Sequence, residues 1–282
     1  MHRCVRRSFA LLLGLATCAA ASPALARGQA AAQSPSPSAE QQVYNRFRDW
    51  TAGVPVDQRG PNLLTLYRQH LQKQDVPAAE IDRQLAIIEK EGRRLEADRW
   101  NTFFTAERPR FNVMPNVFLT QIAERRTPGT ALDVGMGQGR NAIWLARQGW
   151  QVTGFDPATQ ALAIAQQSAT SLGLTLTTVE ARDDTFDWGE NRWDLILMSY
   201  AGCDSANGPR IEKALKPGGV LVVEAFHTDA ARTFKIGGSL CGPGQLPHMF
   251  QGLRTIHYEE PIALPDFGQA RMRIVRFAAE KP

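Results

Sequence analysis

Three glycines alternate in Asp133-Val134-Gly135-Met136-Gly137-Gln138-Gly139, directly after an apolar run at 130–134 and just before an amphipathic stretch at 141–148. Glycine at a strand-to-helix turn allows a sharp bend and lets a ligand approach the main chain closely. Asp156 ends a second apolar run, 17 residues beyond Gly139. A carboxylate there can accept hydrogen bonds from both ribose hydroxyls, so loop and acid together point to an adenosine-containing ligand. A dinucleotide fingerprint needs glycine at 140, where this chain has Arg140. Asp133 beside the loop would repel a pyrophosphate and attract an ammonium. Spacing and charge therefore favour S-adenosylmethionine (SAM) over a nicotinamide dinucleotide.

The elements that must position these residues are legible from about Pro128 onward. Short apolar strands at 130–134, 150–155, 174–179, 193–199 and 220–226 alternate with helical stretches at 141–148, 159–172 and 209–215. That alternation predicts an α/β fold with a central, mostly parallel seven-stranded sheet covered by helices on both faces. Lys216-Pro217-Gly218-Gly219 reads as a turn, and 253–258 with 272–277 as a closing antiparallel pair. Met198, Ser199 and Tyr200 end the fourth strand at the edge where ligands sit in open α/β sheets. Gly237 to Gly244 holds four glycines in eight residues and reads as a mobile loop beside that edge, able to close over it.

At this point the chain resembles the class I SAM-dependent methyltransferases. Residues 133–139 resemble their motif I, Gly154-Phe155-Asp156 the acidic motif that follows, Trp193 to Met198 motif IV, and Leu215 to Leu221 the segment entering the fifth strand. Gly137-Gln138-Gly139-Arg140-Asn141 is similar to the tellurite-resistance-type branch, although Met136 stands where that branch usually has Cys. The resemblance spans about 112–277. It implies a Rossmann-like methyltransferase fold and SAM as cofactor, with Asp133, Gly135, Gly137 and Gly139 near its methionine end and Asp156 on the ribose. Met136, Asn141 and Met198 join this cofactor set, and for the acid near the adenine Asp183 is favoured over its neighbour Asp184.

Methyl transfer from a sulfonium is a direct displacement, so alignment matters more than a nucleophilic side chain. A base enters only if the acceptor must shed a proton. His227, just after the fifth strand, and Tyr200 are the candidate catalytic residues, with His248 and Tyr258-Glu259-Glu260 behind them. No spacing resembles a metal site or a Ser-His-Asp arrangement.

Upstream, Arg3, Arg6 and Arg7 precede an apolar run from Phe9 to Ala21 and the small residues Ala24-Leu25-Ala26, the pattern of a secretory signal over 1–26. Arg6-Arg7-Ser8-Phe9 is open to a twin-arginine reading, whose pathway exports folded proteins. The run is too short for a lasting membrane span. A Ser/Pro/Gln/Ala linker at 27–40 and a helical extension at 41–110 follow, the latter with stripes at Leu63, Tyr67 and Leu71 and at Ile81, Leu85, Ile88 and Leu95. The methyltransferase domain then covers 111–282. Removing the three signal arginines from the 32 basic residues leaves 29 against 28 acidic ones, which gives no electrostatic case for nucleic acid and leaves a small-molecule acceptor favoured. Two cysteines outside the signal, Cys203 and Cys241, permit one disulfide in an exported protein without requiring it. Oligomeric state is not encoded legibly. Two other readings stay open: an exported SAM-binding protein without methyl transfer, and a nicotinamide-dependent oxidoreductase.

Overall fold

The computed structural model describes residues 36–282 except 56, 57, 61, 109, 235–237 and 239. The expected signal at 1–26 and most of the 27–40 linker lie outside these residues. Helices α1 (Ala39–Gly53), α2 (Leu63–Gln72) and α3 (Ala78–Phe104) come first. Ser38 starts α1 by accepting a 3.1 Å hydrogen bond from the Gln41 N–H, two residues before the expected end of the linker. The two apolar stripes meet as expected: Tyr67 and Leu71 pack with Ile81, Leu85, Ile88 and Leu95 around Val43, Tyr44 and Phe47, a core separate from the sheet. The far end of α3 leaves that core, and Phe104 packs instead on Ala158 and Ala161.

The sheet contains β1 (Thr130–Val134), β2 (Gln151–Asp156), β3 (Thr177–Glu180), β4 (Trp193–Ser199), β5 (Leu215–Phe226), β6 (Arg254–Glu259), β7 (Ile262–Ala263) and β8 (Met272–Glu280). Their order is β3-β2-β1-β4-β5-β8-β6, with the short β7 paired to β8. The first five run parallel, and β8 is antiparallel between β5 and β6. This is the Rossmann-like class I methyltransferase architecture. Side-chain alternation divides the core. Ala131, Leu195, Leu197, Val220 and Val222 face α4 (Val117–Ala123), α5 (Arg140–Arg147) and α6 (Thr159–Ser171). Leu132, Val134, Ile196, Met198, Leu221 and Val223 face α7 (Gly208–Ala214) and α9 (Gln245–Met249).

Boundaries shift where packing outweighs local pattern. The third strand begins at Thr177, because Leu174 and Leu176 are spent packing in the core that includes α6. The fifth strand reaches back to Leu215 across the expected turn; Gly218 keeps the positive φ of 77° that the turn asks for, and the register shifts between Trp193 and Leu195. Helices α4, α8 (Thr228–Phe234) and α9 go beyond the sequence expectation. The chain winds outward from β1 to β3 and returns to β4, so β1 and β4 are neighbours with connections leaving in opposite directions. That switch point opens the crevice in which open α/β sheets bind ligands.

Candidate functional site

At the carboxyl end of β1, Gly135, Gly137 and Gly139 take φ values of 64°, 54° and 75°, the left-handed region that glycine enters without steric cost. Gly139 ends the loop against α6, where an added Cβ would come within 2.9 Å of the Ala165 Cβ. Met136 turns inward, packing on Gly154, so only its backbone belongs to the loop: its N–H donates to the Phe155 carbonyl at 3.0 Å. Asn141 is buried, and its side-chain oxygen accepts from the Asn116 N–H at 2.8 Å. Met198 is a core residue on the opposite face of the sheet from Leu197.

Asp133 is 1% exposed, and its Oδ2 has no hydrogen-bond partner among the described residues. Burial pushes its pKa up to about 7, against the opposing pull of Arg140 and the Ala142 N–H. A buried carboxylate with an unclaimed oxygen is costly until a cationic donor completes it. Asp156 accepts from the Gly137 N–H at 2.9 Å through Oδ2 and from the Ala158 N–H at 2.8 Å through Oδ1. Burial also raises its pKa. Each oxygen still has a lone pair for a further donor. Of the two acids after β3, Asp183 is half-buried and receives the Asn207 carboxamide at 2.9 Å. Asp184 is exposed beside Arg93 and Arg182.

A second group of polar side chains lies over β4 and β5. Tyr200, at φ 59°, donates its hydroxyl to Glu224 at 2.8 Å and accepts from the Asp266 N–H at 3.2 Å. Burial, then the nearby Glu224 and Asp266 charges, raise its pKa, so the phenol stays a donor. Glu224 also receives Asn116 and Arg276, each at 2.7 Å. Asp266 receives Arg140 at 2.7 Å and Asn116 at 2.8 Å, and Arg140 continues to the Ser199 hydroxyl at 3.1 Å. Sequence reading missed this network. Its legible signal is a glutamate inside the otherwise apolar Val220 to Phe226; Asp266, in a loop, carries none. His227 is buried one position past β5, its Nδ1 3.4 Å from Asp229 and its Nε2 3.5 Å from Glu260.

Beside His227, Cys241 is disulfide-bonded to Cys203 with a Cα separation of 5.3 Å, closing the pairing that the sequence left open. Gly237 and Ser239 of the expected mobile loop lie outside the described residues. Its remainder is held in the fold: Leu240 and Cys241 are buried, and the Cys241 N–H donates to Phe226.

The residues at the end of β1 fit SAM. Asp133 offers an unclaimed oxygen to an ammonium, Gly135 offers exposed backbone while Gly137 and Gly139 are buried, and Asp156 stands at the end of the neighbouring strand. An open depression of about 450 Å³ lies at the opposite edge, near Thr130, Gln151 and Arg192, away from all of these groups. At the carboxyl ends of β1 and β2 the Phe104 ring, in the last turn of α3, lies against Gly137, Ala158 and Ala161. Among the described residues no helix is long and apolar enough to cross a membrane.

Residues 131–219 match the family described as "Methyltransferase domain". A curated relative, "Ribosomal RNA small subunit methyltransferase C" of Alcanivorax borkumensis, is 32% identical over 106 residues, covering 33% of this chain. The match spans 31% of that protein's length. A solved structure from work on "Conversion of a Disulfide Bond into a Thioacetal Group during Echinomycin Biosynthesis" is 18% identical with a TM-score of 0.52. That likeness covers 66% of this chain and 93% of the other, and it is one of fold. TehB from Haemophilus influenzae is 18% identical at a TM-score of 0.49, with 58% of this chain and 61% of that chain covered.

Proposed function

We propose that this chain, which carries a SAM-dependent methyltransferase domain of class I fold, transfers the SAM methyl group to a small-molecule acceptor outside the cytoplasm. The observation that carries the reading is Asp133: a fully buried carboxylate at the switch-point strand, one oxygen unclaimed, beside three left-handed glycines. It would hold the ammonium of the cofactor, Gly135 to Gly139 would meet its methionine end, and Asp156 would take its ribose. SAM supplies the activated methyl; the protein supplies alignment.

Tyr200 serves as a fixed donor and shapes the acceptor side through Glu224 and Asp266. For an acceptor that must lose a proton, His227 is the candidate base, placed between Asp229 and Glu260. A small molecule is preferred to RNA because basic and acidic residues nearly balance once the signal is removed. Incubation with methyl-labelled SAM and fractionated cell extract should label a low-molecular-weight product; label appearing only in RNA would overturn the acceptor class.

Export is supported by the signal pattern over 1–26 and by the Cys203–Cys241 bridge, since disulfides persist in oxidising compartments. Thiol titration of protein isolated from its host should find neither cysteine reactive. Two reactive thiols would argue for a reducing compartment.

A further inference from the structure

The last turn of α3 sits on the backbone that a cofactor would have to touch. Phe104 is 7% exposed and packs on Ala158 and Ala161, the start of α6. On its other side the ring meets the glycine loop so closely that a single Cβ added to Gly137 would lie 2.6 Å from its Cζ. The ring therefore fills the space between the loop after β1 and the turn after β2.

Two polar contacts fasten it there. The Gln138 carboxamide donates to the Phe104 carbonyl. The Asn101 side-chain oxygen accepts from the Gln160 N–H at 2.9 Å, capping the first turn of α6, a helix whose own N-cap, Ala158, makes no side-chain hydrogen bond. Asp156 is meanwhile occupied by the Gly137 and Ala158 N–H groups. Trp100, Phe103 and Phe111 surround Phe104 at centroid separations of 5.4 to 5.6 Å, so the ring is backed on its outer side too.

Resting on the methyltransferase reading, we infer that Phe104 is an intramolecular plug. The helical extension occupies the cofactor site between the loop after β1 and the turn after β2, and SAM binds only when the end of α3 lifts away. The protein thus divides between a plugged form and an open form, and apparent affinity falls in proportion to the open fraction. Phe104 and Asn101, which form the plug, lie outside the segment 131–219 matched by the methyltransferase family, while Gln138 and Gln160, which receive them, lie within it, so the plug belongs to the extension and its seat to the domain.

The test is calorimetric titration of the full mature chain with S-adenosylhomocysteine, the demethylated cofactor, using wild type, Phe104→Ala and Asn101→Ala. Phe104→Ala should bind about tenfold more tightly than wild type, and Asn101→Ala should shift affinity the same way by less. Trp100 provides a readout independent of activity: its emission should change on binding in wild type, and a Trp100→Phe control identifies that signal. Equal or weaker binding by both variants would overturn the plug while leaving the cofactor reading intact. Absence of binding in all three proteins would overturn the cofactor reading, and the plug with it.

Discussion

The two halves of the sheet's carboxyl edge are covered in opposite ways. Over β1 and β2 the cover is aromatic: Phe104 lies on bare backbone and small side chains, fastened by two polar contacts. Over β4 and β5 the cover is ionic: Arg140, Asp266, Asn116, Glu224, Tyr200 and Arg276 satisfy one another in a partly buried network. An apolar contact can slide or lift without leaving a charge stranded. A buried charge network cannot open at one member without a desolvation cost at the next. The β1–β2 side is therefore the movable side of the site, and the β4–β5 side its fixed wall.

The largest effect should come from breaking the fixed wall. Glu224→Ala removes the partner of Arg276, Asn116 and Tyr200 together, and should destabilise the fold by about 3 kcal/mol in denaturant unfolding. Glu224→Gln, which retains both an acceptor and the side-chain volume, should cost less. An alanine variant as stable as wild type would mean that the network is replaceable, and the contrast between the two halves would fail.

The chain's wound core was readable because buried parallel strands write themselves as apolar runs, and because the helix stripe at Ile81, Leu85, Ile88 and Leu95 has one period throughout. Asp133 was readable for a related reason: a charge at the end of such a run has no structural motive. Legibility stopped at contacts between distant segments. Nothing local in Phe103-Phe104 distinguishes a helix end that rests on residue 137 from one that packs on its neighbours. Asp266 sits in a loop, 126 residues from the Arg140 it holds, with no periodicity to announce it. The Gly-rich stretch was read from its composition as a loop free to close, whereas Cys241 and its bridge to Cys203 set the conformation of the part described. Met136 illustrates the same limit within a motif, where sequence position gives the backbone's place and packing on Gly154 decides the side chain's.

The central claim is that Asp133 receives the cofactor's ammonium, and its raised pKa makes that claim measurable. Free Asp133 with a pKa of about 7 is protonated at lower pH, and the cationic ligand must then displace that proton to bind. A SAM titration should therefore gain about tenfold in affinity from pH 5.5 to pH 7, a range in which an α-amino group stays charged. Asp133→Asn should bind weakly with little pH dependence, and NAD should not bind to either protein. SAM affinity that is flat across this range in wild type, or unchanged in Asp133→Asn, would contradict the account.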